Sequence, residues 1–286
     1  MMIDQKKINM ALLKLRTFEP EEGYYVAFSG GKDSQCVYHL CKMAGVKFDT
    51  HYHVTSVDPP ELVRFVRGHY PDVSREIPYD AAGNPITMWN LIPHVGKPPT
   101  RNARYCCADL KESGGQGRVT ITGVRWAESP RRAAMHGSVE ILQQPARAKR
   151  IAMTRGIDIR EGSNGSVILN DDNDLSRRMV EVCYRTMKTL VNPIVDWSTE
   201  DVWSFLNDVA QVPHCCLYDE GYSRLGCIGC PMSSIKNRQR DFERYPKYEE
   251  VYLRAFGRML KARDERGMPN DLWSSPEEVM AWYLSA

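Results

Sequence analysis

Tyr24-Tyr25-Val26-Ala27-Phe28-Ser29-Gly30-Gly31-Lys32-Asp33-Ser34 is the stretch whose reading decides the fold. An apolar run of this length, free of breakers, reads as a buried strand. It stops at a Ser-Gly-Gly turn, and helical spacing then begins through Val37, Leu40 and Cys41. Two glycines let the backbone adopt φ > 0 and come close to a ligand. Asp33 or Ser34 can cap the new helix. The free N–H groups at its start point into the loop, and the helix dipole favours an anion there. Lys32 adds a point charge. Ser29, Gly30, Gly31, Lys32, Asp33 and Ser34 therefore read as a phosphate or pyrophosphate cradle. The spacing is neither the dinucleotide fingerprint nor the Walker A loop, which needs four residues between its first glycine and Gly-Lys-Ser/Thr. A strand, flexible turn and helix with nothing bound is the bland alternative. It suits Gly-Gly alone better than it suits this whole hexapeptide.

Outward from the loop, the chain alternates strands and helices. Residues 1–22 read as an amphipathic helix using Leu12, Leu13 and Leu15. Phe48–Val54 reads as a second strand, and Asp58-Pro59-Pro60-Glu61 opens a helix, since proline suits a first turn. Val73–Ile77 reads as a short third strand. Residues 80–100, rich in turn formers, read as an irregular connection. Arg118–Val124 is the clearest later strand. Gly162-Ser163-Asn164-Gly165 beside Val167–Leu169 suggests a β-hairpin or mobile insertion within 137–175. Leu190–Val195 is a further strand, Ser198-Thr199-Glu200-Asp201 caps a helix, and the chain beyond residue 235 looks helical. Such alternation implies an α/β fold, a twisted parallel sheet with helices on both faces. Ligands of such sheets lie at the carboxyl ends of the strands. Ser29–Ser34 and Gly123–Arg125 both follow a strand's carboxyl end, so they can meet in one cleft. The expected organisation is a nucleotide-binding α/β domain over 1–235, which includes the cysteine region, and a helical extension over 236–286.

Composition narrows the class. The 286 residues are 42% hydrophobic, enough for a real core. No run approaches a membrane span, and the start of the chain lacks the apolar core of a signal peptide. The expectation is a cytoplasmic protein, with no membrane partner and an open oligomeric state. A net charge of +2 does not by itself announce nucleic acid. Arg125, Arg131, Arg132, Arg147, Lys149, Arg150 and Arg155 nevertheless crowd one segment, as suits phosphates on a nucleotide or a nucleic-acid backbone. A solvated face with scattered arginines is the competing reading.

Nine cysteines in a chain of this type argue for metal binding or sulfur chemistry rather than a disulfide framework. Cys227-Ile228-Gly229-Cys230-Pro231 is a Cys-x-x-Cys with a turn-forming glycine. Cys215-Cys216 and Cys106-Cys107 supply further thiols. A zinc ion or a [4Fe–4S] cluster needs four such ligands, and spacing alone does not choose between them. A redox dithiol would call for a small thioredoxin-like fold, which the pattern does not show. Cys36, Cys41 and Cys183 sit singly at apolar spacing and read as core residues.

Together these residues resemble the phosphoadenosine phosphosulfate reductase family of the PP-loop ATP pyrophosphatase superfamily. The likeness rests on Ser29–Ser34, on Arg104-Tyr105-Cys106-Cys107 with Lys111, and on Gly123-Val124-Arg125 with Glu128-Ser129 and Arg131-Arg132. Asn192-Pro193-Ile194, Asp196-Trp197, Asp201-Val202-Trp203 and Gly226–Pro231 complete it. The resemblance implies an adenine-nucleotide α-hydrolase-like fold that binds ATP or an adenylyl sulfate. It implies Mg²⁺ on the phosphates and Lys32, Asp33 and Arg125 as the catalytic groups. Val57, Asp58, Gly123, Arg125 and Arg131 would join the loop in holding the nucleotide. In the assimilatory reductases a Cys-Cys pair and a later Cys-x-x-Cys hold a [4Fe–4S] cluster, which would here be Cys106, Cys107, Cys227 and Cys230. The relatives that serve DNA phosphorothioation imply Cys107, Cys216, Cys227 and Cys230. Leu217-Tyr218-Asp219-Glu220-Gly221-Tyr222 looks more like this second group. The reductases also carry a catalytic cysteine in a late Glu-Cys-Gly-Leu-His motif, whereas no cysteine follows Cys230 here. The expectation is therefore an ATP pyrophosphatase that adenylates an acceptor for sulfur transfer. A nucleic-acid acceptor and a cysteine desulfurase partner would fit it. The alternatives are an adenylyl-sulfate reductase with a different thiol, such as Cys215, and a nucleotide-binding module without turnover.

Overall fold

The computed structural model describes residues 2–285. The first part of the chain forms α1 (Gln5–Thr17), β1 (Tyr24–Ala27), α2 (Lys32–Ala44), β2 (Phe48–His53), α3 (Pro60–His69) and β3 (Ser74–Glu76). There follow α4 (Met88–Val95), α5 (Tyr105–Leu110), β4 (Val119–Ile121), α6 (Pro130–Met135), β5 (Val139–Ile141), α7 (Pro145–Arg155), β6 (Ile159–Glu161) and β7 (Val167–Leu169). The last elements are α8 (Asp174–Cys183), β8 (Thr189–Val191), α9 (Thr199–Ser204), α10 (Ile235–Arg244), α11 (Pro246–Glu265) and α12 (Pro276–Ser285). The residues group into two compact units. Unit 1 holds the chain through Tyr52, Phe65–Ser74 and Gly115–Gly221; unit 2 holds His53–Arg64, Arg75–Gly114 and the chain from Tyr222 onward.

The eight strands form one sheet in the order β3-β2-β1-β4-β8-β5-β7-β6. β1 pairs in parallel with β2 and β4, and β4 in parallel with β8, as helical crossovers require. The expectation of a parallel sheet holds for this part and needs correcting for the rest. β5 runs antiparallel to both β8 and β7, and β6 runs antiparallel to β7. The cause at β6–β7 is the tight turn anticipated at Gly162–Gly165. There Gly165 sits at φ 80° and Gly162 N donates to Ser166 O at 2.9 Å, too short a link for a crossover.

Unit 1 is held by an apolar core on one face of this sheet. Val26, Val119, Ile121, Val139, Val167 and Val191 meet Ile8, Ala11 and Leu15 of α1, Val37 and Leu40 of α2, and Trp197. Each such aliphatic side chain taken fully from water stabilises by about 1.5–3 kcal/mol. The intervening residues Thr120, Glu140 and Ile168 are buried as well, so both faces are covered. Of the three leucines anticipated in α1, Leu15 is core whereas Leu13 is 52% exposed; the buried stripe runs through Ile8, Ala11 and Leu15 instead. Cys36, Cys41 and Cys183 are core residues, as their spacing suggested.

Unit 2 has its own core. α11 packs along α4 and α12, joining Leu91, Ile92, Tyr252, Phe256, Met259 and Tyr283 to Cys106, Leu110 and Ile228. α4 falls inside the stretch read as irregular. It is capped by a Thr87–Asn90 capping box and carries Pro93 within it. Among the described residues no helix is long and apolar enough to cross a membrane.

Candidate active site

The loop at the end of β1 is built as its glycines require. Gly30 adopts φ 73°, and α2 starts immediately afterwards. The cap expected of Asp33 or Ser34 falls instead on Gly31, which offers no side-chain cap bond. Ser34 turns its hydroxyl back to Gly31 O at 2.8 Å. Three loop amides are held by hydroxyls: Ser29 N by Ser34 Oγ at 3.2 Å, Gly31 N by Ser29 Oγ at 3.4 Å and Lys32 N by Tyr218 Oη at 2.8 Å. Hydroxyls rotate, so each amide is satisfied without being locked.

Two cations flank one carboxylate behind the loop. Lys32 Nζ lies 3.2 Å from Asp33 Oδ2, and Arg125 Nε lies 2.7 Å from Asp33 Oδ1. Arg125 is 2% exposed and also donates to Trp197 O at 3.0 Å. Gly123 presses on the same point. A Cβ there would stand 2.9 Å from the Asp33 carbonyl carbon, so only glycine lets the strand end and the helix start touch. Lys32, Asp33, Gly123 and Arg125 are thus one cluster, as the shared strand ends implied. The wider run of basic residues is only partly presented to solvent. Arg125 is internal, Arg132 pairs with Glu128 at 3.1 Å and Lys149 with Glu161 at 2.6 Å. Arg131, Arg147, Arg150 and Arg155 remain exposed.

The cysteine motif belongs to unit 2. Ile228 N donates to Val57 O at 2.8 Å, Gly229 N to Asp241 Oδ2 at 3.1 Å, and Tyr252 Oη donates to Ile228 O at 3.1 Å. Tyr283 Oη donates to Gly229 O, which fixes the turn between Cys227 and Cys230 from α12. Val57 and Asp58, expected at a nucleotide, are buried in this unit, where Asp58 Oδ2 accepts from Thr55 N at 2.9 Å. Cys227 Sγ approaches Thr55 Oγ1 at 3.6 Å.

Cys107, Cys227 and Cys230 all lie close enough to Cys106 to act on its thiol electrostatically. A hydrogen bond from Cys106, opposed by burial and helped by Arg104, holds the Cys107 thiol well below the usual cysteine range. The same bond and burial push Cys106 up. Cys227 raises the Lys111 ammonium, and Lys111 in turn opposes the upward push of burial on Cys227. Cys107 is thus favoured as a thiolate, while Cys106 and Cys227 are favoured as thiols, with Arg104 and Lys111 as the neighbouring cations. The side chains are nevertheless not drawn together: among the described residues no three His, Cys, Asp or Glu stand in metal-holding geometry. Cys216 lies in unit 1, exposed, beside the buried Cys215.

Comparison with known proteins fixes the lineage. The model of the phosphoadenosine phosphosulfate reductase domain matches residues 23–233. The chain belongs to that family. The reductase-family domain runs from the start of β1 to just past Cys230, so it includes the loop, Gly123–Arg125 and all the cysteines discussed. Membership carries a nucleotide-binding, sulfur-related function of the PP-loop kind. A 75-residue stretch is also 37% identical to an uncharacterized protein of Methanocaldococcus jannaschii, covering 26% of this chain and 18% of that protein.

The structure adds residues that the sequence reading did not single out as site residues. Tyr218 reaches the loop from 186 positions away; the sequence marked it only as part of the Leu217–Tyr222 stretch and not as a loop partner. The carbonyl of Trp197, inside the Asp196-Trp197 motif, orients Arg125.

Proposed function

We propose that this protein binds ATP with its outer phosphates on Ser29–Ser34 and splits it between the α- and β-phosphates to adenylate an acceptor for sulfur transfer. The observation that carries the reading is the Lys32–Asp33–Arg125 cluster behind a helix start whose cap residue, Gly31, offers no side-chain bond. An acceptor oxygen attacks the α-phosphorus, the bond to the bridging oxygen breaks, and pyrophosphate leaves. Lys32 and Arg125 offset the charge that develops on it. Asp33 holds the two cations apart and in place. Mg²⁺ bound to the phosphates would supply further charge neutralisation, reached from Asp33 directly or through water. A sulfur nucleophile then attacks the adenylated atom, and AMP departs with the bonding electrons.

Cys107, Cys227 and Cys230, with Cys106 or Cys216, would hold a [4Fe–4S] cluster, or zinc as the alternative. When bound, the cluster would supply a sulfur-handling centre. What supports the ligand set is the proximity of Cys107, Cys227 and Cys230 to Cys106 in unit 2 and the neighbouring cations Lys111 and Arg104. A nucleic-acid acceptor, fed by a cysteine desulfurase as in the phosphorothioation relatives, is in keeping with the exposed Arg131, Arg147, Arg150 and Arg155. The reductase alternative would need a substitute thiol, and Cys215 is 0% exposed.

Pyrophosphate release from ATP, measured on anaerobically purified protein with sulfide and candidate nucleic acids, tests the proposal. Lys32→Ala is expected to abolish it. Sulfite release from adenylyl sulfate without ATP would favour the reductase. ATP binding with no pyrophosphate release would favour a binding module.

A further inference from the structure

The hydroxyl of Tyr218 occupies a telling place. It accepts the Lys32 N–H at 2.8 Å, the amide at the first residue of α2. A Cβ on Gly31 would meet the same oxygen at 3.3 Å, so the phenol lies directly over the glycine of the loop. Lys32 Nζ stands 5.8 Å from the centre of the phenol ring. The hydroxyl oxygen thus takes the direction from which a phosphate oxygen would approach this amide and this lysine.

The ring is held independently of its hydroxyl. Trp203 packs edge-on against it with centroids 4.9 Å apart, and His214 does so at 6.1 Å. The backbone around it is a tight turn: Tyr218 N donates to Cys215 O at 3.0 Å, Asp219 N to Cys216 O at 3.0 Å and Gly221 N to Tyr218 O at 3.1 Å. A displacement of Tyr218 is therefore a displacement of the turn that carries Cys216.

We infer that Tyr218 is a positioning residue of the phosphate loop. Its hydroxyl holds the Lys32 amide in the unliganded protein, yields it to a phosphate oxygen, and passes that exchange to the Cys215–Asp219 turn. No bond is made or broken in the exchange; one hydrogen-bond acceptor replaces another. The inference rests on the reading of Ser29–Ser34 as a phosphate site and adds to it a competitor and a connection.

Tyr218→Phe removes only the competing oxygen and keeps the ring against Trp203. Binding of inorganic pyrophosphate and of MgATP is measured by calorimetry for wild type, Tyr218→Phe and Lys32→Ala. Alkylation of Cys216 by iodoacetamide is followed by peptide mass spectrometry with and without pyrophosphate. The expected result is binding to Tyr218→Phe tighter by roughly three- to tenfold, the worth of one neutral hydrogen bond. Pyrophosphate should change the Cys216 rate in the wild type, and Tyr218→Phe should lose that response. A merely structural hydroxyl would give the opposite sign. Unchanged or weaker binding by Tyr218→Phe, with Lys32→Ala abolishing binding, overturns the inference and leaves the loop reading standing. Failure of both wild type and Tyr218→Phe to bind overturns the loop reading and the inference with it.

Discussion

Asp33 and Arg125 can be separated experimentally, and the structure says how much that should cost. Their Nε–Oδ1 distance is 2.7 Å, with side-chain exposures of 21% for Asp33 and 2% for Arg125. Charge centres about 4 Å apart at an effective dielectric of about 20 attract by roughly 4 kcal/mol. Removing one partner of a buried pair costs about 3–5 kcal/mol, because the other charge is left uncompensated. Asp33 retains Lys32 after the loss of Arg125, and it is not fully buried, so Arg125→Met should fall near the low end, about 3 kcal/mol. Asp33→Asn takes from Arg125 its ion-pair partner and leaves it the Trp197 carbonyl, and should cost a similar amount. Once one charge is gone, removing the second should cost little, so the double variant should be less destabilised than the sum by about 2 kcal/mol. Urea unfolding gives the three values, and amide hydrogen exchange across α2 localises the loss. A coupling below about 0.5 kcal/mol would mean the pair acts as two independent groups, and the cluster argument would fail.

Further outcomes follow from single positions. Gly123→Ala should push its methyl into the Asp33 backbone, cost about 1–3 kcal/mol and weaken MgATP binding, both measurable by unfolding and calorimetry. Gly229→Ala meets Phe242 at 2.5 Å and a φ of 68°, so it should disturb the Cys227–Cys230 turn and lower both melting temperature and iron content after anaerobic purification. Cys227→Ser should lose metal, read as iron and acid-labile sulfide; full retention would remove Cys227 from the ligand set. Burial, then Lys42, lowers the His39 imidazole to about 4. An unfolded chain, titrating near 6.5, takes up that proton first, so this stability is full above about pH 6.5 and is lost as pH falls towards about 4. After discounting for its partly solvated ring the amount is about 2 kcal/mol, and His39→Gln should flatten the acid limb of stability against pH.

The Ser29–Ser34 loop was legible because strand, glycine turn and helix leave separate marks over eleven consecutive residues. Gly123 and Arg125 were legible through topology, since a parallel sheet gathers strand ends on one edge. The strand directions beyond β8 were not. β5, β6 and β7 span three residues each, too few for periodicity, and in β5 and β7 burial on both faces erases alternation. Only the Gly162–Gly165 turn betrayed a reversal. α4 was hidden by Pro93 and by turn formers on either side. Asp33 and Ser34 have capping side chains, but Arg125 engages Asp33 across the fold and Ser34 bonds back to Gly31 and Ser29 within the loop, so the cap falls on Gly31. Tyr218 escaped because nothing local marks a tyrosine that acts across the fold.

The sheet ends at β3 on one side and β6 on the other. One margin is Ser74-Arg75-Glu76 and the other Ile159-Arg160-Glu161, each three residues long and mostly exposed. Unsatisfied peptide groups at such margins invite a second molecule to add a strand. Brevity and charged side chains at both rims make that addition unrewarding, while the apolar strands lie inside the sheet.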